Sequence, residues 1–428
     1  MTRSDRLLHS CGVERLAAYL SLLLVAAPSL ATAGEVAPLT RFAVDALGDL
    51  GCPGAGVDEA RAVNRDGWIV GAAANVACRS RAFLFDPESG TMRDLGVLPG
   101  AEWSWANGIN DAGIVVGRSG DRGFVWDAHH GMRPLEPART GSFAESEAVA
   151  INHFGWVAGN TAVPYGVLPC LWNTGRSDPA PEVIDALPIG ASYGVATGIA
   201  DDGTVVGRVG GNGLDAGSRF ALEHAALWRR VGRRFEFLDL GPIEGQSGAA
   251  LAVNNVGQIV GVAGSGASAG GWLLEDGVLT DLGSPGGGAV RPLGLNDDGV
   301  AVGVESVDRG AAIPHGGGSG HRQHGAEAGR VGGGSGEPAD TAFWWNRVDG
   351  LVALPSLSGA GGADRARAVN GSVTIVGSSI DDAGHRVAVR WMPLAEGDLA
   401  VDRASPLRDV GALRSGIDLD GGAPRSEH

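Results

Sequence analysis

Three features of this chain have residue types and spacings that could do chemistry. Gly266-Ala267-Ser268-Ala269-Gly270 fits the nucleophile-elbow pattern, which places a serine on a sharp strand-to-helix turn. The segment lies in a Gly/Ser/Ala-rich β link, so it is read as a linker serine. His315, His321 and His324 fall in a Gly-rich insertion. Three imidazoles suit zinc or nickel, but a flexible loop supplies nothing to orient them, and no metal is assigned. The acidic turns Asn110-Asp111, Asp201-Asp202, Asn296-Asp297-Asp298 and Asp381-Asp382 bring calcium to mind. A calcium loop needs several oxygens wrapped around one ion, and turn chemistry explains two or three carboxyls without one. No Asp/Glu spacing singles out an acid–base pair of the glycosidase kind. Every one of the 33 basic residues is Arg. Without Lys there is no phosphate-loop lysine, Schiff base, pyridoxal anchor or Ser-Lys dyad. No catalytic residue and no cofactor is assigned.

The elements that would position any site come from self-similarity. Glu59-Ala60-Arg61-Ala62-Val63-Asn64 leads through Gly67 into Trp68-Ile69-Val70-Gly71, and the same shape recurs to make seven copies. Its turn residues are Asn64, Asn110, Asn152, Asn254, Asn296 and Asn370, with Ala200 in fourth place, at steps of 46, 42, 48, 54, 42 and 74. Asn can hydrogen-bond its own following backbone, and Gly takes the positive φ of a bulged hairpin. Each copy also carries an aromatic strand, such as Ala82-Phe83-Leu84-Phe85 or Ala342-Phe343-Trp344-Trp345. A closing segment comes next, such as Asp94-Leu95-Gly96 or Asp281-Leu282-Gly283. Four short strands per unit is one propeller blade. Helix periodicity is absent beyond the first 33 residues, so the chain is all-β, a seven-bladed β-propeller over residues 37–412. Small residues alternate along the first strand, which places it innermost, where blades crowd. Phe42 to Gly51 reads as a closing strand with no blade before it and is preferred for sealing the ring. Arg408-Asp409-Val410-Gly411 is the alternative.

The copies resemble the bacterial extracellular HAF-repeat proteins. The markers are the Ala-x-x-Ile-Asn turn, the Gly-x-Val-Val-Gly strand, the Ala-Phe-Leu-Trp strand and the Asp-Leu-Gly-x-Leu strand, from Phe42 to Trp391. The His of the His-Ala-Phe tripeptide is present only as His224; Arg81, Arg122 and Thr341 replace it elsewhere. The resemblance implies export and a repeat fold, with no activity or catalytic residue to carry over.

Blade topology divides the loops between two ends. The Asn-x-x-Gly turns and the third-to-fourth-strand turns share one end; the second-to-third-strand links and the links between blades share the other. Insertions concentrate on the second end, at Arg208–Glu223 and at about 306–340. Function gathers in loops on a rigid scaffold, and Trp103, Tyr165 and Tyr193, with Phe143, fall on this end. They are candidate platforms for a glycan or a peptide; the alternative is that they cover the blade ends. Cys52 and Cys78 meet the same end and are predicted to form a disulfide, the alternative being two free thiols. Cys170 replaces an aromatic-strand Phe and is expected to be buried.

Residues 1–33 read as a cleaved export signal. Arg3, Arg6 and Arg15 precede the apolar run Leu16–Leu30, and Ala31-Thr32-Ala33 is a small-x-small cleavage site. Residues 413–428 are expected to be a disordered tail. A net charge of −16 gives no reason to hold nucleic acid or an anionic membrane, and no later stretch is long and apolar enough to span a bilayer. The reading is a secreted or periplasmic, monomeric, non-enzymatic module that binds a glycan or a protein on the inserted-loop end. A propeller lyase or hydrolase acting on polysaccharide is the alternative.

Overall fold

Short β-branched and aromatic runs punctuated by Gly, Asn and Asp favour strands and tight turns. In the structure, a computed structural model, they fold into seven four-stranded antiparallel sheets arranged as the blades of a propeller. The described residues are 41–55, 58–138, 144–164, 166–176, 180–211, 222–232, 234–307, 339–359 and 362–394. The signal segment 1–33, the tail 413–428, the segment Arg408–Gly411, the three insertion histidines, Phe143 and Tyr165 lie outside them.

Strand β1 (Phe42–Ala46) comes first. Blade 1 then runs outward as β2 (Glu59–Val63), β3 (Ile69–Ala74), β4 (Ser80–Asp86) and β5 (Thr91–Asp94). The inner strands of blades 2 to 7 begin at Ser104, Ser146, Tyr193, Gly248, Ala289 and Arg365. Blade 7 supplies three strands of its own, and β1 is its fourth, pairing Phe42 with Pro393 through Ala46 with Val389. The N-terminal segment therefore closes the ring.

In blades 1 and 5 the closing triplets end the outer strands, whereas in blade 4 Asp239-Leu240-Gly241 lies within the outer strand Arg234–Gly241. Strand β5 stops at Asp94, and the Asp94, Asp239 and Asp281 side chains accept the N–H two residues on. In blades 1 and 5 that local bond takes the chain out of the ladder, while in blade 4 the register shifts and Gly241 still pairs with Ala225. In blade 3 the outer strand is only Glu182–Val183, just ahead of Asp185-Ala186-Leu187.

The core is seven wedges, one at each junction between blades. Between blades 7 and 1, Ala60, Ile69 and Phe83 pack against Val376 and Ala388. Between blades 2 and 3, Val116 and Val125 meet Ala148, Val157 and Trp172. In all seven blades a β-bulge interrupts the register between the two innermost strands, at Ala60/Ala62 in blade 1 and Ala366/Ala368 in blade 7. An extra residue in one strand reverses the facing of the residues after it. Ala60 accordingly packs toward blade 7, and Ala62 toward blade 2. Ala250 and Ala252 divide in the same way between the flanking wedges. The small residues thus serve both neighbouring blades, and the bulged residue between them is left out of both wedges.

The Asn turns tie the blades into a circuit. Asn64 Oδ1 accepts the Trp68 N–H within its own turn, while its Nδ2 donates to Asn110 O in the next blade. Asn110 reaches Asn152 O, Asn152 reaches Ala200 O, Asn254 reaches Asn296 O, Asn296 reaches Asn370 O, and Asn370 returns to Asn64 O. Ala200 leaves the single gap. There Asp201 N–H donates to Asn255 Oδ1, and Thr197 Oγ1 donates to Ala250 O.

Candidate ligand-binding site at the channel mouth

Because the flanking Ala residues face the wedges, the bulged residues face the axis. They are Arg61, Asn107, Val149, Thr197, Leu251, Leu293 and Arg367 in blades 1 to 7. One ladder step toward the inserted-loop end lie Glu59, Trp105, Glu147, Val195, Ala249, Arg291 and Arg365. Charge therefore collects on blades 6, 7 and 1, with Glu147 on blade 3, whereas blades 4 and 5 present small, apolar or hydroxyl groups.

The charged arc holds two hydrogen-bonded clusters. Arg367 Nε donates to Glu59 Oε1 at 2.8 Å, and Arg61 Nε to Glu59 Oε2 at 3.2 Å. Arg61 Nη1 continues to Asn107 Oδ1 at 2.9 Å, and Asn107 Nδ2 donates to Ala148 O at 2.9 Å. On the blade 6–7 side, Arg365 Nε and Nη2 both donate to Asp340 Oδ2, whose other oxygen accepts the Ser306 hydroxyl. Burial pushes the Glu59 carboxyl up, but the Arg367 and Arg61 guanidiniums outweigh it and hold it at about 2. Burial also draws Arg61 below its ordinary value, and Arg367 adds to this against the pull of Glu59 and Glu147.

Aromatic groups join the Glu59 cluster in blade 2. The Trp103 and Trp105 rings stack with centroids 4.3 Å apart. Arg61 lies over Trp105 and Arg118 over Trp103, a cation–π arrangement. The Trp105 Nε1 atom is buried and without a hydrogen-bond partner. Tyr193 opens the inner strand of blade 4 on the same end, and its hydroxyl donates to Glu223 Oε1 at 2.5 Å, with Arg208 Nε 3.1 Å from that oxygen. Burial and the Glu223 carboxylate push the Tyr193 phenol up. Blade 3 stands between Trp103 and Tyr193, so they mark two stations on the rim rather than one groove.

Cys52 and Cys78 are joined by a disulfide, with Cα atoms 5.3 Å apart. Cys170 is fully buried, and burial pushes its thiol up. Gly266–Ser268 forms one 3₁₀ turn between strands of blade 5, and Ser268 Oγ donates to Ser265 O. A shallow cleft of about 270 Å³ runs beside it, lined by Asp281, Ser284 and Val290 among others. The acidic turns serve as blade links: Asp111, Asp201 and Asp297 accept the backbone N–H of Arg65, His153 and Asn255 in the preceding blade. Among the described residues, no three His, Cys, Asp or Glu side chains converge to hold a metal ion.

The channel residues escaped the sequence reading, which followed the Ala positions. Their signal was present in the residues between: Glu59-Ala-Arg61 in blade 1 and Arg365-Ala-Arg367 in blade 7 put charges on a strand placed innermost. A charge there has only the axis to face.

No family model matches the chain, and no curated protein matches it. Among solved structures it is similar to TolB from Acinetobacter baumannii, at 13% identity over 55% of this chain and 56% of that one, with a TM-score of 0.37. It is also similar to the β-propeller domain of the Trilobed protease from Pyrococcus furiosus, at 10% identity over 78% and 94% of the two chains, with a TM-score of 0.48. A third is oligogalacturonate lyase from Vibrio parahaemolyticus, at 11% identity over 84% and 98%, with a TM-score of 0.46. The likeness is one of fold.

Proposed function

We propose that the chain is a monomeric, secreted or periplasmic binding module of the HAF-repeat kind, without enzymatic activity, that takes a glycan at the inserted-loop mouth of its channel. The observation that carries this reading is the Trp103–Trp105 stack set beside guanidinium and amide groups. Aromatic faces cover sugar rings, and polar groups of this kind take hydroxyls. A proton-transfer acid works best with a pKa near the operating pH. Glu59, held at about 2 by its arginines, stays ionised and paired, which suits binding better than turnover. Export rests on the signal-like residues 1–33 with cleavage after Ala33. No helix among the described residues is long and apolar enough to cross a membrane.

The test is a glycan and polysaccharide screen on the purified mature chain, with every hit incubated and checked for product. The expected result is binding without turnover, weakened by Trp103→Ala and Tyr193→Ala. Product formation overturns the non-enzymatic reading in favour of a polysaccharide lyase or hydrolase. Failure to bind any glycan overturns the ligand class and directs the search to protein partners in envelope extract.

A further inference from the structure

Arg291 precedes Pro292 on the inner strand of blade 6, as Arg365 precedes Ala366 on blade 7 and Glu59 precedes Ala60 on blade 1. Three successive blades therefore bring charged groups to one level of the channel. The carboxylates of Glu59 and Asp340, on the blades that carry these arginines, are already engaged. Glu59 gives one oxygen to Arg367 and the other to Arg61, and Asp340 gives one to Arg365 and the other to Ser306. Among the described residues Arg291 has no hydrogen bond and no ion pair, and its side chain is exposed to the channel. Partial desolvation by the surrounding channel wall, then the guanidiniums of Arg208, Arg367 and Arg365, draw it below the usual arginine range. A chain with a net charge of −16 thus leaves one guanidinium among others with no counter-charge.

We infer that Arg291, with Arg365 and Arg367 beside it, is the seat of a carboxylate, and that the glycan taken at this mouth carries a uronic-acid group. The inference rests on the binding-module reading above. A planar guanidinium fork matches the two oxygens of a carboxylate. A phosphate can take the same fork, and inorganic phosphate is therefore one arm of the test below. The Trp103–Trp105 stack at the same mouth favours a sugar over an acidic peptide.

The mature chain is titrated with D-galacturonate and with D-galactose, which differ at C6, and binding is read by thermal melting and calorimetry. Inorganic phosphate and a poly-glutamate peptide serve as further arms. Galacturonate is expected to bind and raise the melting temperature, and galactose to do neither. Arg291→Gln should lower galacturonate affinity roughly tenfold or more, and Arg291→Lys, which keeps the charge without the fork, should fall between. Without ligand, Arg291→Gln should melt no lower than the parent, since a like-charge contact is removed; this keeps a loss of binding distinct from a loss of fold. Wild-type affinity in Arg291→Gln, tighter binding of phosphate or peptide, or no carboxylate binding overturns the seat. Neutral glycans that bind equally to Arg291→Gln would leave the module reading standing while removing the carboxylate. A chain that binds no glycan removes both.

Discussion

Asn110 holds its own turn and the next blade with one amide: Oδ1 accepts the Ala112 and Ile114 N–H groups, and Nδ2 donates to Asn152 O. Asn110→Ala leaves buried groups unpaired and should cost about 1–3 kcal/mol in a denaturation experiment. The reverse change belongs at the gap: Ala200→Asn supplies the missing amide and should add about 0.5–1.5 kcal/mol, read as a higher denaturation midpoint. The turn role of these residues was legible in the Asn-x-x-Gly spacing. Their reach into the next blade was not, because the partner is a backbone carbonyl 42 residues away for Asn110 and leaves no mark in the sequence. Asp58 carries a pH dependence. It is fully buried, one oxygen accepts the Ala74 N–H, and the other has no partner. Burial raises its pKa from 3.8 to about 6, with the Ala74 hydrogen bond opposing and Asp49 assisting. Between those values the folded chain keeps a proton that the unfolded chain has released, so this group's contribution to stability falls as pH rises from about 4 to about 6. Asp58→Asn should therefore raise the melting temperature at pH 8 and leave it nearly unchanged at pH 4.

At the scale of the strand, the bulge explains why each second strand carries a Gly. A Cβ on Gly117 would lie 2.1 Å from Trp105 O and 2.8 Å from the Ala106 Cα. Those atoms are backbone and cannot step aside. Gly117→Ala should lower stability by several kcal/mol or block folding, measured by the yield of soluble folded protein. A residue near the start of the aromatic strand is coupled to the closing segment in three blades. His224 pairs with Asp239 at 2.8 Å, Arg122 with Glu136 at 3.1 Å, and Arg81 lies 3.9 Å from Asp94. A base on the third strand, His or Arg, faces an acid near the end of the fourth. The strands themselves were readable because turn residues and β-branched runs act locally. The bulge was hidden because it needs the register of two strands at once. The Cys52–Cys78 bond spans 26 residues across a between-blade link and a hairpin of blade 1. Its reduction should cost about 3 kcal/mol on loop entropy, seen as a lower melting temperature in reductant.

The whole ring is sealed by β1. Phe42 packs its ring 5.5 Å from that of Trp344, and β1 covers the outer edge of Arg386–Pro393. Removing residues up to Leu50 would bare that edge, and bare edges pair with other copies. The shortened chain should melt lower and self-associate in light scattering. Repetition made closure legible, since a closing strand without a blade implies a blade in need of one. Repetition also concealed the site, because the site lies where the copies differ. Seven wedges repeat a geometry, yet the channel they enclose has Arg367, Glu59, Arg61 and Asn107 along one wall and Val195, Thr197, Ala249 and Leu251 along the other. Its electric field accordingly points across the axis as well as along it. A ligand with one acidic edge and one bare edge would have a single favoured rotation in such a pore, so an almost sevenfold frame would hold a guest of that kind in one orientation.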